Sequence, residues 1–158
     1  VIRKVITGFL LFAFIGIGMV DSILHGKMTF SSTMAMDINR VFFYSIYLLF
    51  LGSWLLYNGF IVGIGFLALA AFNSYFEEYT LLHNYFASIL IYIGLFFDLL
   101  REKKGLLILL FICIGSIQGV AFQTAGISKY IVGGMELLSL CLGSFFIINN
   151  IPRSLKTT

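Results

Sequence analysis

Read from its first residue, the chain alternates long apolar runs with short polar breaks. The first run, Val5 to Leu24, carries no charge before Asp21 and has the roughly 20 apolar residues that one bilayer crossing needs. No small-residue cleavage site follows it, so it reads as a retained helix and not as a signal peptide. The next run, Val41 to Phe76, is uncharged throughout. As a single helix it would be about 54 Å long, far beyond a hydrocarbon core of about 30 Å. It must therefore turn, and Tyr57-Asn58-Gly59 supplies the turn chemistry, with Trp54 and Tyr57 suited to an interface. Three further runs complete the pattern. The expectation is an all-α, polytopic transmembrane bundle of six spans, at about 5–24, 41–57, 59–76, 81–100, 105–122 and 130–151, forming one domain over 1–158. In hydrocarbon only helices and closed barrels satisfy every backbone polar group.

The distribution of Lys and Arg then sets an orientation. With a cytoplasmic N-terminus, the inner segments hold Arg3, Lys4, Arg101, Lys103, Lys104, Arg153 and Lys156. The outer ones hold Lys27, Arg40 and Lys129, together with Asp37, Glu77 and Glu78. Both termini are expected inside, in a bacterial inner membrane or a eukaryotic endomembrane. The longest loop, His25 to Arg40, is expected to pack over the outer mouth, its Met28, Met34 and Met36 serving as interfacial packing. Gly8, Gly16, Gly18, Gly63, Gly65, Gly133, Gly134 and Gly143 read as sites of close helix approach.

Composition sharpens this picture. The chain is 60% hydrophobic and 11% charged, with a mean hydropathy of +1.04, whereas soluble domains carry about 25% charged residues. A water-soluble globule and a nucleic-acid module are excluded. The net charge of +3 reflects orientation and not an anionic partner. Cys113 and Cys141 lie inside apolar runs and read as small apolar residues facing neighbouring helices.

Ionisable groups inside spans are expensive and default to functional candidates. Asp21 and His25 share one face of the first span. Glu77, Glu78, His83 and Asn84 stand at the outer start of the fourth, Glu136 lies about two turns into the sixth, and Gln118 belongs to the outer half of the fifth. All fall in the outer leaflet. Three readings compete: local structural pairing, a polar pocket for a lipid headgroup or small ligand, and a metal that activates water, held by His25, His83 and a carboxylate such as Glu136. Glu136 is expected either to be protonated or to be hydrogen-bonded to a group on the first or fourth span, with His83 the preferred partner. Asp98 is expected to pair locally with Arg101 at the cytoplasmic edge.

The stretch Ala71 to Asp98, with its aromatic and acidic loop running into His83 and Ala87, resembles the DRAM-type family of six-span membrane proteins. The segment 130–148, with Glu136 in GGMELLSLCLGSFFI, is similar to that family's last span. The resemblance implies six spans, cytoplasmic termini and a role in membrane lipid handling, with no agreed catalytic residues. The functional expectation is a non-enzymatic integral membrane protein, binding lipid or serving as an accessory subunit of a larger membrane assembly. Its partners would be membrane lipids and other membrane subunits, with no cofactor and no nucleic acid. A small metal-dependent hydrolase at the outer leaflet is the alternative.

Overall fold

The computed structural model describes residues 1–27, 29–123 and 128–151. Met28, and Arg153 and Lys156 of the expected inner set, lie outside the described residues. Among the described residues every regular element is helical: α1 (Ile2–Leu24), α2 (Phe30–Met34), α3 (Ile38–Tyr57), α4 (Gly63–Ala71), a 3-10 turn (Glu77–Tyr79), a π-helical turn (Leu82–Ala87), α5 (Ser88–Arg101), α6 (Gly105–Gln123) and α7 (Ser128–Asn150). Three helices are long and apolar enough to cross a membrane: α1, α3 and α7, the last counted from Lys129. Their outer faces are strongly apolar. Phe9, Phe12, Ile46, Phe50 and Phe145 are all exposed, a surface that water would not tolerate over such an area.

The core forms around α3. Tyr44, Leu48, Leu51 and Leu55 recur at helical spacing along one face and are all buried. Phe14 of α1 lies edge-on to Tyr44 and to Phe66 of α4, with ring centroids 6.4 Å apart in each case. Asp37 starts α3 by accepting the Arg40 amide at 3.0 Å.

The segment after Asn58-Gly59 departs from a full-length helix. Gly59 adopts a positive φ of 83°, which permits the tight reversal. A run of turns then follows, and α4 has only nine residues, about 14 Å of helix. Glycine lets this short helix lie at backbone contact with both neighbours. A Cβ on Gly63 would come within 2.5 Å of the Gly52 carbonyl oxygen, and one on Gly65 within 2.6 Å of the Ile91 backbone. Gly94 meets Val62 equally closely. By contrast Gly16 and Gly134 have open space beside them, so they do not mark the close approaches expected of them. Cys113 and Cys141 are exposed and so do not face neighbouring helices as expected.

Asp98 fixes the start of α4. Fully buried, its carboxylate accepts the Ile61 amide at 3.0 Å and the Val62 amide at 2.9 Å. Arg101 stands 3.5 Å away and donates to the Gly59 carbonyl at 2.6 Å. The local Asp98–Arg101 pair is present, but its main task is to hold a turn on another segment. Nothing in the local i, i+3 spacing predicts that use.

Candidate functional site

The expected outer-leaflet residues occupy three places. At the first, Asp21 lies near the end of α1 and takes a two-pronged contact from Arg40, Nε and Nη2 both at 2.9 Å. The Arg40 guanidinium also contacts Asp37, and Tyr44 Oη donates to Asp21 at 3.2 Å. His25 sits one helical turn beyond Asp21, its Nδ1 2.9 Å from the Asp21 carbonyl oxygen, which requires that nitrogen to be the donor. Its Nε2 lies 3.2 Å from Arg40. The Asp37 carboxyl is held below the usual carboxylate range by the Arg40 amide first and the Arg40 guanidinium second. This arrangement is an interlocked ion-pair network that ties α1 to α3. Beside it Ser22 and Thr33 share a hydrogen bond of 2.7 Å, which draws α2 onto α1.

At the second place, the π-helical turn carries His83 into the interior. A π turn adds a residue to the helical turn and redirects the side chains around it. His83 is buried, and its Nδ1 donates to the Phe72 carbonyl at 2.8 Å, linking the start of α5 to the end of α4. Asn84 belongs to the same turn, but its side chain lies outside the described set. Glu77 and Glu78 are exposed on the 3-10 turn.

The third place is the meeting of α5, α6 and α7. Tyr92 Oη donates to Gln118 Oε1 at 2.5 Å and lies 2.9 Å from Ser139 Oγ. Because a phenol has one proton, Ser139 is the donor in the second contact. One turn before Ser139 on α7 is Glu136, on the same face. Tyr92, Gln118 and Glu136 form a wall shared by two cavities. The smaller, about 100 Å³, lies inside the bundle against Phe14, Met34 and Phe66. The larger, about 810 Å³, is a groove between α5 and α6 that opens to the surface. One end carries Thr29, Ser32, Ser74, Thr80 and Gln123, and the other is walled by Ile93, Phe96, Leu99, Ile108 and Ile112.

One expectation changes. Among the described residues no three His, Cys, Asp or Glu side chains are grouped to hold a metal, so the alternative set of His25, His83 and Glu136 is not assembled. The reason is local: His25 is folded back onto α1 and Arg40, while His83 is turned inward onto Phe72. The hydrogen bond described for His83 is to a backbone carbonyl, and Glu136 lies on the Tyr92–Gln118 wall. Sequence reading also passed over Arg40, Tyr44, Tyr92 and Ser139 as site residues. Tyr92 alone left a trace, since a tyrosine deep in an apolar run needs a partner for its hydroxyl.

Comparison with family models, characterised proteins and solved structures finds no match to this chain. Nothing in those comparisons bears on the DRAM-type resemblance.

Proposed function

We propose that the protein is a non-enzymatic, multi-pass membrane protein that binds a membrane lipid in the groove between α5 and α6. The carrying observation is the polarity gradient along that groove. Hydroxyl and amide side chains cluster at one end beside Ile89 and Val132, the Tyr92–Gln118–Glu136 wall comes next, and the rest is aliphatic and aromatic but for Ser116, whose hydroxyl donates back to the Ile112 carbonyl at 2.8 Å. Along α6 the lining runs from Gln123 to Ile108, about 22 Å of helix. This order of polar head and long apolar tail matches an amphiphile set parallel to the helices. A concave apolar site with few convergent polar groups is the usual form of a small-molecule site.

The six-segment reading belongs to the same proposal. The short segment holding α4 starts beside Asp98 and ends beside His83, so it travels the length of the α5 run despite its nine-residue helix. Arg3 packs over Tyr57, Lys4 reaches the Asn149 carbonyl, and Arg101 reaches Gly59. That gathers basic residues at one end of the bundle, the end we assign to the cytoplasm under the positive-inside rule. A role as an accessory subunit, and kinship with DRAM-type proteins, are compatible with this reading.

The test uses Gly119, which lines the groove and has open space beside it. Gly119→Leu should fill the groove while favouring the helix. Lipid retained through purification in mild detergent should fall severalfold, with thermal stability kept. Unchanged retention would overturn the lipid reading, and a stoichiometric protein partner on an otherwise lipid-free preparation would replace it with the accessory role.

A further inference from the structure

We infer that the groove measures the hydrocarbon chain of the lipid it holds: the chain runs from the Tyr92–Gln118 wall to a floor at Leu99 and Ile108, and about ten carbons fill that interval. The inference rests on the lipid-binding reading above and adds the class of lipid, one with a medium-length chain. Its first support is that the apolar end of the groove is closed. There α5 and α6, which form its two walls, are joined by a connection of only Glu102, Lys103 and Lys104. Among the described residues none from 100 to 107 lines the groove, so its lining stops at Leu99 on one wall and at Ile108 on the other.

The second support is that the main chain fixes this floor. The Lys104 amide donates to the Leu99 carbonyl at 3.0 Å, and the Ile108 amide donates to the Lys104 carbonyl at 3.1 Å. One residue thus ties both floor residues together. The Lys103 amide closes on the Leu100 carbonyl at 3.0 Å, and Lys103 takes a positive φ of 55°, the left-handed conformation that ends a helix in a tight reversal. Leu99 is fully buried. The floor cannot retreat without undoing this hairpin.

The third support is length. From Tyr92 to Leu99 is about 10 Å of α5, and from Gln118 to Ile108 about 15 Å of α6. An extended chain advances about 1.2 Å per bond, since three backbone bonds carry a residue at most about 3.6 Å. About eight to twelve carbons therefore reach from the wall to the floor. A longer chain must bend out past Ile93, Phe96 and Ile112, which line the groove and are themselves exposed. Beyond them it meets other lipid chains and no fixed wall. A shorter chain leaves the space above Leu99 and Ile108 unfilled and forfeits the packing contacts there. Because apolar surface gains little by leaving lipid, fit to the walls decides which chain binds best.

The experiment measures equilibrium binding to the full chain in lipid nanodiscs, with empty discs subtracted. The probes are 1-monoacylglycerols whose saturated chains run from six to sixteen carbons in steps of two. Their head is uncharged and the same throughout, and affinity is expressed per mole fraction in the bilayer, so chain length acts only through the groove. Affinity should peak at about ten carbons, at least threefold above that for six and for sixteen. Ile108→Ala, which lowers the floor, should move the peak about two carbons longer, and Ile108→Phe, which raises it, about two carbons shorter. A substitution that merely loosened the fold would weaken every probe alike and leave the peak in place. Affinity that is level across the series, climbs through sixteen carbons or peaks outside eight to twelve would overturn the inference and leave lipid binding standing. So would a peak that does not move in opposite directions in the two variants. Binding of no probe would also overturn it, and with no lipid retained on purification the lipid-binding reading would fall too.

Discussion

On one side of α5 the neighbouring helix lies at backbone contact; on the other, α6 stands off across a groove of about 810 Å³. The first side is built from glycines. Gly65 faces Ile91, Gly94 faces Val62 and Gly52 faces Gly63, so α3, α4 and α5 pack through their main chains. Its polar groups are turned inward, Asp98 onto two amides and His83 Nδ1 onto the Phe72 carbonyl. The second side also has glycines, but Gly115 meets only a tyrosine ring at 3.7 Å and Gly119 meets nothing within 4 Å. Its polar groups, Tyr92, Gln118 and Glu136, border open volume. In a membrane, where apolar surface gains little by leaving lipid, close packing is what holds helices together. A half that packs to contact supplies the scaffold, and the half that does not has space for a guest.

The sharpest way to break this contrast is to add one methyl group on each side. At Gly65 a Cβ would lie 2.5 Å from the Ile91 side chain and 2.6 Å from its backbone. Neither helix can yield without dislodging α4. Gly65→Ala should therefore destabilise the protein by about 3 kcal/mol, read as a lower melting temperature in detergent. Gly119→Ala, in the open half, should instead gain up to about 1 kcal/mol from helix propensity. Equal effects at the two positions would mean that the two sides of α5 do not differ in packing.

A second, smaller effect should appear where the halves meet. Tyr92→Phe removes the hydroxyl that joins α5 to both Gln118 and Ser139 while keeping the ring. Lost hydrogen bonds of this kind cost about 1 kcal/mol each, so the loss should be about 1 to 2 kcal/mol. The sensitive readout is ligand binding, which should weaken because Gln118 and Ser139 no longer share a fixed partner. Intact binding with lowered stability would assign the network to the scaffold.

How much of this was legible in the sequence differs by side as well. The limits of α1, α3, α6 and α7 fall within a few residues of the apolar runs at 5–24, 41–57, 105–122 and 130–151, because a charge or a turn bounds each run. Over the run 59–76 hydropathy does not distinguish Phe60, Ile61 and Val62, which form the turn that Asp98 holds, from the helix Gly63–Ala71 that follows. Nor does hydropathy register that Gly52 and Gly94, outside any recognised motif, are where main chains touch. At the sites, the Asp21–His25 face followed from i, i+4 spacing. Arg40 did not, because its contact with Asp21 joins two helices across a loop. Gln118 and Glu136 stood out as polar residues in apolar runs, while Ser139 looked like any serine able to bond back to its own helix.

The weakest expected effect lies at the rim, at neither side of α5, and serves to show that the contrast is confined to the packed and open halves. Asp37 accepts the Arg40 amide as the first turn of α3 begins and also contacts the Arg40 guanidinium. Both contacts favour its charged form and depress its folded-state pKa. A group with a depressed folded pKa contributes stability that is fully present above the unfolded value, about 4, and is lost as pH falls through the folded value. Between pH 6 and 8 the Asp37 contribution should therefore be flat, and it should decline only on acidification below about pH 4. Asp37→Asn keeps a good helix cap and removes the charge, so at pH 7 it should lower the melting temperature only slightly and flatten the acid limb of the melting-temperature curve. Lipid retention should not change. A fall in retention from this substitution would couple the α1–α3 rim to the groove and dissolve the separation between the two sides of α5.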